Sequence, residues 1–328
     1  MLRIFLAAAL FAAALSGQTL PDFYQSVSRL TWVVKDADAV AAGWRRAGVP
    51  VVRNGEVLRL EGRTYKGKPL SSDIYVATGV FGALMVDWVQ PIGKEGAFAD
   101  FLARHGEGVF SLVHRVPDSA ALEAEIARLK LAGVDVLDRA RLQTDSGAIH
   151  IVYMDTERPG KYSLGLIAMP SGLDEPSGMG RPVNQFAFIA QKLEPVSAFW
   201  QKLGFPAMSY TEPKLTDMAY KDKPQEWKAR LGWQRHGKVV YEWIEPHTGP
   251  STYHDHLAKY GEGFHHLGLP VSDMDAAIAE WKGFGHPPSM AGGWGEKGKP
   301  GSGRFAYHDT RSMGGVEIEL LWNYRAAK

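Results

Sequence analysis

Gln185, Glu242, His266 and Glu319 are the side chains of this 328-residue sequence best suited to hold a metal ion. One imidazole, one amide oxygen and two carboxylates make a borderline-hard donor set that suits Zn²⁺, Ni²⁺, Co²⁺, Mn²⁺ or Fe²⁺. Four protein ligands on an octahedral ion leave two adjacent positions for two vicinal substrate oxygens. A carboxylate loosened from the ion can then take up a proton, and Glu319 is the first choice for that base. Glu317 stands two residues earlier, on the same face of a strand, and is a second acid/base candidate. His265 and His266 compete for one ligand position. Side chains alternate along a strand, so one of the two faces inward; the register favours His266 and leaves His265 as a structural or rim residue.

The elements that must position these residues are read from internal repeats. The stretch from Asp87 to Gly108 lies over that from Glu242 to Gly263 without a gap, at an offset of 155, with a shared GEG at its end. A tandem duplication follows, with residues 18–169 and 183–328 as two domains and the Gly/Pro/Ser-rich segment 170–182 as linker. Within each half a smaller unit recurs, an apolar strand leading into a helix that opens near Asp and closes at Gly. Broken strands follow, ending in an apolar one, so each of four modules reads as β-α and about three strands. Aligning the four first strands makes Arg29, Ser111, Gln185 and His266 equivalent. Aligning the four last strands makes Asp87, Gly165, Glu242 and Glu319 equivalent. All four positions therefore carry metal-ligand types only in the second half.

Composition narrows the functions. The formal net charge of +1 gives no overall basic field for nucleic acid, and 45% hydrophobic residues with 22% charged residues describe a folded chain. With no cysteine, disulfides, zinc fingers, thiolate catalysis and iron–sulfur ligation drop out. His254 and His256 are two apart on an expected helix and read as surface residues. The segment 295–305, GEKGKPGSGRF, carries Lys297, Lys299 and Arg304 but lacks a P-loop context and reads as a mobile loop. Trp44, Trp200 and Trp281 recur at one inward helix position and read as core.

With these residues in place, the sequence resembles the vicinal oxygen chelate superfamily of glyoxalases, bleomycin-resistance proteins and dioxygenases. The motifs EWIEP, LAKYGEGFHHLGLPVSD and GGVEIELLW resemble those of methylmalonyl-CoA epimerases, whereas the ligand identities Gln, Glu, His, Glu are similar to those of glyoxalase I. The resemblance implies an α+β fold, four βαβββ modules paired into two cupped mixed sheets. It also implies one divalent metal ion and α-proton transfer on a small substrate with vicinal oxygens, in the isomerase/lyase branch. Extradiol-type dioxygenases use two His and one carboxylate on iron, and Gln185 stands where the first His belongs. A metal-free binding protein of the bleomycin-resistance type is the non-catalytic alternative.

Residues 1–17 carry Arg3, an apolar run from Ile4 to Leu15 and small Ala14 and Ser16, the pattern of a cleaved signal peptide. The run is shorter than the ~20 residues of a membrane span. The expected location is periplasmic or secreted, with no membrane anchor after cleavage, a small-molecule partner, and a monomeric or homodimeric state. Coenzyme A and glutathione adducts fit such a location poorly.

Overall fold

Alternation of apolar and polar residues, broken at Gly and Pro, builds two sheets of ten strands each in the computed structural model, which describes residues 20–173 and 175–324. The expected signal peptide lies outside the described residues. Among them no helix is long and apolar enough to cross a membrane. The first sheet contains β1 (Arg29–Val33), β2 (Val51–Leu58), β3 (Glu61–Tyr65), β4 (Lys68–Pro69), β5 (Ile74–Phe81), β6 (Leu84–Pro91), β7 (Gly108–Val116), β8 (Val136–Thr144), β9 (Gly147–Met154) and β10 (Ser163–Ala168). The second contains β11 (Gln185–Ile189), β12 (Ser209–Thr211), β13 (Leu215–Tyr220), β14 (Lys223–Pro224), β15 (Lys228–His236), β16 (Val239–Thr248), β17 (Gly263–Pro270), β18 (Pro288–Trp294), β19 (Gly303–His308) and β20 (Glu317–Asn323).

Their strand orders coincide: β2-β5-β6-β1-β7-β10-β9-β8-β3-β4 in the first, β12-β15-β16-β11-β17-β20-β19-β18-β13-β14 in the second. Both are mixed sheets, because the first and last strands of each module pair in parallel, β1 with β6 and β7 with β10, β11 with β16 and β17 with β20. The expected α+β class of paired cupped modules holds. Each sheet has more strands than two βαβββ units supply, because a hairpin of the first module (β3–β4) pairs with β8 of the second. The chain thus leaves one edge at Leu58 and joins the opposite edge at Glu61, nearly closing the cup. In the second half β12 and β13 repeat the crossing through residues 212–214. Each sheet ends in a two-residue strand of Lys and Pro.

Three of the four module helices are capped as expected. Asp36, Asp118 and Asp273 accept from the N–H of Ala39, Ala121 and Ala276 at 2.8–3.0 Å. The helix Leu193–Lys202 has Lys192 at that position, and Glu245 accepts from the Leu193 N–H instead at 3.2 Å. Between the halves lies one shared apolar core to which the helices contribute. Trp44, Trp200 and Trp281 are fully buried there. Trp44 Nε1 donates to Met313 O of the other half at 2.8 Å and Trp200 Nε1 to Gly160 O at 3.1 Å, a reciprocal pair of bonds across the core. The concave faces carry separate, smaller apolar clusters.

Candidate metal centre

Gln185, Glu242, His266 and Glu319 sit on β11, β16, β17 and β20, which are neighbours at the centre of the second sheet. Pairing sets their convergence: Glu242 is opposite Ala187, His266 opposite Ala187 on the other side, and Glu319 opposite Gly268. His266 Nε2 lies 3.1 Å from Glu319 Oε2 and 3.3 Å from Glu242 Oε2. Gln185 Nε2 donates to Glu242 Oε2 at 2.7 Å and to Glu319 Oε2 at 3.2 Å. One donor atom from each of Glu242, His266 and Glu319 falls within 4.8 Å of the others, and all three residues are buried. Burial first, and the Glu319 charge with it, raises the Glu242 carboxyl above its ordinary range. Burial alone would lower the His266 imidazole, but the Glu319 charge and hydrogen bonds to both carboxylates outweigh it and bring the pKa to about 9. Two buried carboxylates facing one imidazole thus hold a cation in the form of a proton. A divalent ion fits the same donor set, with the Gln185 amide turned to present its oxygen.

These residues lie at the floor of a cavity of about 1150 Å³ whose lining includes Gln185, Glu242 and Glu319. Trp227, Trp294, Phe305 and Tyr253 form apolar walls, and Lys214, Lys228 and Arg235 bring cations that sequence reading missed. All its lining residues come from the second half. The segment 295–305 contributes Gly295 and Phe305, while Arg304 turns away to Asp275 at 2.9 Å.

The equivalent positions of the first sheet hold a different arrangement. The Arg29 guanidinium pairs with Asp87 and with Glu175 of the linker, and Thr78 Oγ1 donates to Asp87 at 2.8 Å. Ser111 bonds only to a backbone carbonyl, and a Cβ on Gly165 would come within 2.6 Å of Ser111 and Val113. The corresponding cavity is about 200 Å³, with Leu173, Glu175 and Pro176 of the linker in its lining.

Alternation fails at the paired histidines. The pairing of β11 with β17 slips between Ala187 and Phe188, so that Ala187 faces His266 while Phe188 faces Phe264 and His265 is the extra residue. This β-bulge turns His265 to the same side as His266, with the two Nδ1 atoms 2.9 Å apart. His265 is buried, not on a rim. The first half has the same bulge, between Thr31 and Trp32, with Phe110 as the extra residue. Phe110 packs with Phe98, Phe101 and Tyr153. In the second half the matching positions are His265, Tyr253, His256 and Tyr307, again one ring cluster. His256 is therefore buried beside His265 instead of lying on the surface, and it borders a separate cavity of about 240 Å³ between the halves. Burial first, and nearby cations second, hold its pKa down to about 3. Laying the repeats over each other at offset 155 would have found this, since Phe101 and Phe110 mark buried positions.

Glu317 shares the face of Glu319 but sits behind the ligands, outside the cavity lining. Its carboxylate lies 3.4 Å from Arg311 Nη1 and 3.9 Å from His265 Nε2, with no hydrogen-bond partner, and burial brings its pKa up to about 7.

Residues 184–307, most of the second half, match the family model described as the glyoxalase/bleomycin resistance protein/dioxygenase superfamily. No curated protein matches the sequence. Among solved structures, a mutant of 4-hydroxymandelate synthase from Streptomyces coelicolor is similar over 92% of this chain and 94% of its own, at TM-score 0.62 and 15% identity. A xylose isomerase-like TIM barrel/4-hydroxyphenylpyruvate dioxygenase fusion protein is similar over 94% of this chain and 50% of its own, at 0.51 and 13%. At these identities the likeness is one of fold.

Proposed function

We propose that this protein is a metal-dependent enzyme that moves an α-proton on a substrate with vicinal oxygens, using a single site in the second half. The observation that carries the reading is the convergence of four ligand-capable side chains at the floor of the larger cavity, against an internally neutralised Arg29 in the smaller one. Gln185, Glu242, His266 and Glu319 would hold the ion, one of Zn²⁺, Ni²⁺, Co²⁺, Mn²⁺ or Fe²⁺. When bound, it supplies a Lewis acid that binds two substrate oxygens and acidifies the neighbouring C–H. Glu319, which borders the cavity, is the base, and Glu242 and His266 complete the donor set. Trp227, Trp294 and Phe305 exclude water and receive the apolar part of the substrate, and the volume admits a substrate well beyond three carbons. The first half serves as scaffold through the shared core. Export by the N-terminal segment belongs to the same reading, and N-terminal sequencing of the mature protein checks it.

The test is elemental analysis of protein purified without added metal, followed by deuterium uptake from D₂O into 2-oxo and 2-hydroxy carbonyl compounds. About one transition metal per chain and exchange into at least one compound are expected. Oxygen uptake without exchange would identify a dioxygenase; tight ligand binding with neither signal would identify a binding protein.

A further inference from the structure

His266 offers Nε2 to the two carboxylates, which leaves Nδ1 as its outer nitrogen. That atom meets His265 Nδ1 at 2.9 Å, and a hydrogen bond between two imidazole nitrogens needs one proton, on one side only. If the proton sat on His265, His266 would carry its own on Nε2 and could not coordinate. If it sits on His266, the Nε2 lone pair faces the donor set. The second arrangement requires His265 to keep its proton on Nε2, and the group facing that nitrogen is the Glu317 carboxylate, 3.9 Å away. Arg311 holds Glu317 from the other side.

We infer that His265 is a positioning residue, placed by the β-bulge to accept the Nδ1 proton of His266 and so present Nε2 to the metal, with Glu317 behind it. The inference rests on the metal reading above. The molecule contains its own control: the same bulge in the first half, beside a donor set of Arg29, Asp87, Ser111 and Gly165, holds Phe110. The fold accommodates a phenyl ring at this position, so the imidazole answers a need other than packing. His265 Nε2 is moreover buried without a hydrogen-bond partner, an arrangement that costs stability when packing is the sole return.

The experiment is titration of the metal-free full chain with Co²⁺, read by calorimetry and visible absorption, in the wild type, His265→Phe and His265→Asn. Removing an outer partner of a ligating histidine typically weakens metal binding by about 10–100-fold. His265→Phe should lose that much, while its metal-free Tm equals or exceeds that of the wild type. His265→Asn, whose Oδ1 replaces Nδ1 as acceptor, should recover most of the affinity and the wild-type spectrum. Wild-type affinity in His265→Phe, or equal loss in both variants, would overturn the positioning role. No Co²⁺ binding by the wild type would overturn the metal reading itself.

Discussion

Glu319 and Glu242 flank one imidazole, yet only their surroundings divide the work between them. Glu319→Gln keeps an oxygen ligand but cannot accept a proton, so the expected result is retained metal with a loss of about 10²–10⁴ in deuterium exchange. An exchange rate near wild type would move the base elsewhere. Metal uptake should also be pH-dependent. His266 is protonated below about 9 in the metal-free protein and must release that proton to coordinate. Apparent affinity should therefore rise with pH through neutrality and level off near 9, with about one proton released per ion near pH 7. Calorimetry in buffers of different ionisation enthalpy reads this directly. The convergence of Gln185, Glu242, His266 and Glu319 was legible because all four modules keep one register, so a position in one module locates its equivalents in the others. His265 was not, because the alternation argument assumes an unbroken pleat and one extra residue reverses it.

At the scale of elements, the repeat exposed the first and last strands but hid the crossing hairpin. Its signal was present: Tyr65, Lys66, Lys68 and Pro69 recur as Tyr220, Lys221, Lys223 and Pro224 at offset 155. Which sheet edge a short strand joins depends on long-range pairing, and short polar strands carry no periodicity that names a partner. The β10 strand explains why the first half has no ligand at its fourth position. Gly165→Ala sets a Cβ against Ser111 and Val113 at 2.6 Å inside a central strand. The expected cost is about 1–3 kcal/mol, read as a lower denaturation midpoint with an unchanged metal content. No change in the midpoint would mean that β7 can shift to make room.

The whole molecule is two cups back to back on a shared core, and its acid response should reflect what that core buries. Burial above all lowers the imidazoles of His114 and His308 to about 4 and of His256 to about 3, against 6.5 in the unfolded chain. Below pH 6.5 the unfolded chain takes protons that these folded-state groups refuse, so stability falls with pH by up to about 1.4 kcal/mol per unit for each. Glu317, raised to about 7, and Glu242, also raised by burial, oppose this. Denaturation of the chelator-treated protein should show a steep loss between pH 6.5 and 4, and a flat profile there would contradict the burial. The sheet ends have a different consequence. A duplicated domain emerges from the ribosome beside a copy of itself, where matching edges invite one half to complete the other. Both sheets stop at a Lys–Pro pair, Lys68–Pro69 and Lys223–Pro224, in which proline has no N–H to donate and lysine resists burial. Such ends terminate growth, so each half is steered to close on its own hairpin before the two meet back to back.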